Sequence, residues 1–140
     1  MEKDRLKNMK GIEKPYRYIF WVGYILVFAE AFVTLKVDLH KIIIGGASIK
    51  FHLDQILHAV VYFFICLYFL AGQQFGLTLF KVDSFQKFLV AVIILTTATE
   101  VVQLGVPSRA FNVFDWLSNI IGICIGVGVI LGTRRTGIRD

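Results

Sequence analysis

Residues 54–72 read DQILHAVVYFFICLYFLAG. After Asp54, Gln55 and His58 the stretch is apolar apart from its tyrosines, and its length is close to the about 20 residues that cross a bilayer as a helix. Apolar side chains run continuously rather than alternating, so an open-faced strand is excluded. Lipid admits only helices and closed barrels, because every backbone polar group must be satisfied internally. Three further runs have the same character: roughly Tyr16 to Leu35, Phe88 to Val106 and Phe114 to Gly132. Pro107 follows the third run, where it does not disturb a helix.

Composition agrees. The 140 residues suffice for one domain. Hydrophobic residues make up 56% and charged residues 18%, against about 25% charged in soluble domains. A mean hydropathy of +0.69 excludes an ordinary soluble enzyme, and an apolar chain with only 2 Pro excludes disorder. The sequence therefore predicts an all-α integral membrane bundle of four transmembrane helices. A basic segment, residues 1–15, precedes the membrane domain 16–132, and a basic tail, residues 133–140, follows it. The first run lacks a small-x-small cleavage site and reads as a retained helix. Cys66 and Cys124 both fall inside apolar runs and read as buried free thiols. No disulfide, metal-ligand or cofactor-binding spacing is present.

A net charge of +5 does not signal nucleic acid here, because the basic residues sit in short blocks between the spans. Eleven Lys and Arg lie in the N-terminal segment, the second loop and the tail, against four in the first and third loops. The positive-inside rule then places both termini in the cytoplasm. Tyr16, Tyr18 and Trp21 fit an inner aromatic belt, and Phe111, Phe114 and Trp116 an outer one. In the first loop, KIIIGGASIKF carries two β-prone runs around Gly45-Gly46. This hairpin signal competes with an interfacial segment on the outer leaflet.

Polar residues inside the spans each need a reason, since a charge there costs a few kcal/mol or more. They are Glu30, Asp54, His58, Glu100, Gln103, Asp115 and Asn119. At about 1.5 Å per residue, His58 lies about 6 Å below Asp54 and Glu100 about 9 Å below the outer surface. All seven fall in the outer half. Asp54 and His58 share a face of the second span, with Tyr62 at its edge. Thr96, Glu100 and Gln103 share one on the third, and Asp115, Asn119, Gly122 and Gly126 one on the fourth. Gly122-x-x-x-Gly126 favours close helix packing.

Structural roles compete with binding. Asp54 and Asp115 are candidate N-caps. His58 could bond between helices, and Glu30 could be a neutral acid bonded to backbone. His40 and His52, in the first loop, read as solvated. Four acids face one nearby guanidinium, Arg109, so either some acids are protonated or Lys50, a cation or a ligand supplies charge. The planar fork of Arg109 suits a carboxylate or phosphate.

The stretch EVVQLGVPSRAFNVFDWLSNIIG, residues 100–122, resembles the last two helices of the VanZ-like family, whose core reads E-x-x-Q, P-x-R, D-x-x-x-N-x-x-G. Asp54-x-x-x-His58-x-x-x-Tyr62 resembles that family's earlier helix motif, with Gln55 where the family often has Lys. The resemblance runs from about Asp54 to Gly126. It implies a bacterial cytoplasmic-membrane protein, of a family associated with resistance to the lipoglycopeptide teicoplanin, and it brings no settled enzymatic activity.

Three functions compete. The first is binding at an outward-facing polar pocket, with Asp54, His58, Tyr62, Glu100, Gln103, Arg109, Asp115 and Asn119 as ligand-binding residues. The ligand would be a lipid headgroup, a lipid-linked cell-wall precursor or a lipoglycopeptide. The second is a membrane-embedded enzyme on such a substrate, with Asp54, His58, Glu100 and Asp115 as acids and bases or as ligands of a divalent metal; no nucleophile or metal motif supports it. The third is a small drug exporter using Glu30, which the strong one-way charge bias disfavours.

Overall fold

The computed structural model describes residues 2–30, 53–82, 84–105 and 112–136. These form α1 (Glu2–Glu30), α2 (Leu53–Gln74), α3 (Ser84–Gln103) and α4 (Val113–Thr136). Gly45-Gly46 and its hairpin, His40, Lys50, His52, Arg109 and residues 31–35 lie outside the described residues.

By length and composition α2, α3 and α4 can each cross a membrane. The first helix is longer than its apolar run: it begins in the charged segment at Glu2 and continues through Pro15. Pro15 has no N–H to give to the preceding turn, so one intrahelical bond is missing there. Glu13, Lys14, Arg17 and Glu30 make α1 less apolar than the other three. The described residues thus form an all-helical bundle of four helices, of which three, not four, are long and apolar enough to span a membrane.

The surface is what a lipid-bathed protein needs. Ile25, Phe64, Ile94 and Ile125 are exposed, while Thr96, Glu100, Gln103 and Asn119 are buried. Intramembrane polar residues usually face the bundle interior in this way.

Among the described residues α2 packs most extensively on α4. Glycine allows this. A Cβ on Gly122 would overlap the Ala59 backbone carbonyl, and one on Gly126 would overlap the Cys66 side chain. By contrast, α3 stands off α2, bridged by large side chains: the Phe69 and Phe88 rings stack with centroids 4.1 Å apart. The Tyr24 hydroxyl of α1 donates to the Ala91 carbonyl of α3 at 3.0 Å. Cys66 is buried as expected, but Cys124 is exposed: it lies two residues from Gly126, on another face of α4.

A Schellman turn ends α2. Leu77 N–H bonds the Gly72 carbonyl at 2.8 Å and Gly76 N–H the Gln73 carbonyl at 3.0 Å. Gly76 holds φ at 68°, a conformation that favours glycine. The turn brings Thr78 back onto α1. Arg17 donates through Nε to the Thr78 carbonyl at 2.8 Å and through Nη2 to Glu13 Oε1 at 2.6 Å. Arg134, near the end of α4, donates to Gln73 at 3.0 Å and lies over the Phe85 ring. Thus Arg17, the loop after α2 and the end of α4 gather at one end of the bundle.

Candidate functional site

The opposite end holds the polar residues. Parallel packing of α2 and α4 sets this: Gly122 faces Ala59, Gly126 faces Cys66, and the first turn of α4 therefore lies beside the first turns of α2. Tyr62 projects from α2 and is 2% exposed. Its neighbours are Thr96, Thr99 and the carboxyl group of Glu100 on α3. On α4, Asp115 and Asn119 are buried one turn apart. Gln103 is buried one turn beyond Thr99, at the end of α3.

Tyr62, Glu100, Gln103, Asp115 and Asn119 are thus all buried at this end. His58 is only half-buried, one turn from Tyr62. Asp54 is the second residue of α2, inside its first turn rather than ahead of it. Glu30 ends α1, is exposed, and is not one of the buried group.

Asp115 does not cap α4. Asn112 does: its Oδ1 accepts the Phe114 N–H at 3.1 Å, and its carbonyl accepts from Asp115 and Trp116. Asp115 is therefore in the first turn, where a carboxylate gains from the helix dipole. Sequence reasoning missed Asn112, although an Asn just before an apolar run is a start signal.

Thr99 was also missed. It lies four residues before Gln103 on the same face. Its hydroxyl donates to the Thr96 carbonyl at 2.9 Å, so its own helix satisfies it. Thr96 differs. Its Oγ1, Tyr62 Oη and both amide atoms of Asn119 are buried and have no hydrogen-bond partner among the described residues. Such groups cost about 1–3 kcal/mol each when left unbonded. The Thr96 hydroxyl and Tyr62 phenol adjoin each other, and the Asn119 carboxamide is buried on α4 toward the same end of the bundle; donors and acceptors of these kinds suit a sugar, amide or phosphate oxygen.

A family model, VanZ/LLP1, matches residues 8–134. No curated protein and no solved structure compared with the chain matches it.

Proposed function

The chain belongs to the VanZ/LLP1 family, and from that premise we propose that it is a four-span membrane protein of the bacterial cytoplasmic membrane that binds the polar part of a lipid. Both termini are cytoplasmic, and α1 supplies the fourth span through the apolar run that begins at Tyr16. The ligand is a lipid headgroup, a lipid-linked cell-wall precursor or a lipoglycopeptide, and binding underlies a teicoplanin-resistance role. The observation that carries this is the set of buried, unbonded polar atoms on Tyr62, Thr96 and Asn119. Three helices deliver them to one end of the bundle, where bilayer hydrocarbon cannot satisfy them. Gathering Arg17, Thr78 and Arg134 at the other end supports the orientation, because positive charge favours the cytoplasmic side.

In this site Thr96, Tyr62 and Asn119 bond the uncharged groups of the ligand. Glu100 and Asp115 hold its amide or hydroxyl hydrogens, and Arg109 clamps an anionic oxygen through its fork. The test is melting of the purified protein with short-chain phosphatidylglycerol, a lipid-linked wall precursor or teicoplanin added separately. At least one should raise Tm in the parent protein, and Arg109→Lys should lose most of that rise while folding normally, because it keeps charge but not the fork. No rise with any of the three, together with unchanged growth in teicoplanin on deletion, would sink the proposal.

A further inference from the structure

A cleft of about 340 Å³ opens between α1 and α2, lined chiefly by Ile19, Gly23 and Val27 on one wall and Val60, Phe64 and Tyr68 on the other. One end is shut. There the Tyr16 and Tyr68 rings stack with centroids 5.0 Å apart, the Tyr68 hydroxyl donates to the Tyr16 carbonyl at 2.9 Å, and Tyr16 lies against Gly72. Beyond that contact the two helices part. Gly23 widens the gap, and not for helix packing: a Cβ there would meet nothing within 4 Å. The far end reaches the polar cluster, because Tyr24 lines the cleft and neighbours Tyr62, which adjoins Glu100.

We propose that this cleft holds one hydrocarbon chain of a membrane lipid, running from the polar cluster inward to the Tyr16–Tyr68 stack. The proposal rests on the headgroup-binding reading of that cluster and adds where the tail goes. An apolar space of this size, open sideways at span depth, is bathed by lipid tails, and leaving it empty would forfeit dispersion contacts along both walls. From Val60 to Tyr68 the wall is roughly 12 Å long, so it takes a stretch of chain and not a methyl group. Its closed end sets how deep a chain can go, and its open end meets polar atoms suited to a headgroup. A tail with its head at the cluster satisfies both ends, whereas a second copy of this chain would leave the cluster unfilled.

The test uses the full chain in vesicles of phosphatidylglycerol and phosphatidylethanolamine, doped with phosphatidylglycerol carrying a diazirine midway along one acyl chain. After photolysis, labelled residues are mapped by mass spectrometry. Labelling at Gly23, Val27, Val60 and Phe64 should exceed that at Val90, Ile93 and Ile94, exposed on α3, several-fold. Gly23→Leu, which fills the cleft, should remove the excess. If that variant does not fold, Val60→Phe blocks the cleft from the other wall. Even labelling over α1, α2 and α3, an excess that survives both blocks, or cross-links between two copies through the cleft would each overturn the proposal. Asn119→Leu separates the two ideas. Even labelling in the parent, with a ligand-induced Tm rise that Asn119→Leu abolishes, removes the tail site and keeps the headgroup reading. Concentrated labelling with no ligand-induced rise does the reverse.

Discussion

At the scale of the residue, Thr96 distinguishes a binding site from a packing core. Its hydroxyl is fully buried beside the Tyr62 phenol and makes no hydrogen bond of good geometry among the described residues. Thr96→Val keeps the shape and should raise the Tm of the ligand-free protein, by up to the about 1–3 kcal/mol that an unbonded buried hydroxyl costs. It should weaken the response to any ligand that bonds there, an exchange of function for stability. A lowered Tm without ligand would mean that the hydroxyl is satisfied within the fold. Residues of this kind are hard to read from sequence. Glu100, Gln103, Asp115 and Asn119 stand out because ionic and amide groups are costly among apolar neighbours. Threonine is common in apolar helices and often bonds its own backbone, as Thr99 does. Both threonines neighbour Tyr62 of α2; what separates them is that only Thr99 turns its hydroxyl back onto its own helix, which no local pattern encodes.

At the scale of the element, the three apolar helices were legible because hydrophobic length suffices to define a span. The N-terminal extent of α1 was not, since charge density hides a helix that solvent and loop contacts support. The glycines of α4 give a graded prediction. Gly122 meets backbone at Ala59, which cannot yield, whereas Gly126 meets the Cys66 side chain. Gly122→Ala should therefore lower folded yield in detergent more than Gly126→Ala, and Gly126→Leu should abolish it. Equal yields for all three would place α4 further from α2. The join between α1 and the turn after α2 is pH-sensitive. The Thr78 hydroxyl, followed by the charge of Arg17, holds the Glu13 carboxyl below its ordinary value of 4.5, with burial opposing. A lowered folded-state pKa favours the fold above about pH 4.5, and the gain fades as acid protonates Glu13 through its depressed pKa. Melting temperature should fall on acidification below that point. Thr78→Val should shrink the fall; an identical fall in both proteins would remove Glu13 from the join.

At the scale of the whole molecule, sidedness decides which solution the polar end meets. In a background without Cys66 and Cys124, a cysteine at Ser108 should react with an impermeant thiol reagent on intact cells, and one at Ser84 should not. The reverse pattern would turn the polar end toward the cytoplasm. Charge bias gives the sequence an expected orientation, whereas the asymmetric packing was not legible there, because it depends on which glycine meets which neighbour. That asymmetry also bears on biogenesis. The tightest partners, α2 and α4, are separated in the chain by α3, so α2 enters the membrane before the surface made for it exists. At synthesis rates of about 5–20 residues per second, Gly126 follows the end of α2 by roughly 3–10 s. During that wait α3 must carry Glu100 into lipid before Asp115 and Asn119 arrive. Late-arriving α4 is therefore the step that closes the bundle, and a nascent chain stalled before Gly122 is the species an insertase or a quality-control protease would meet.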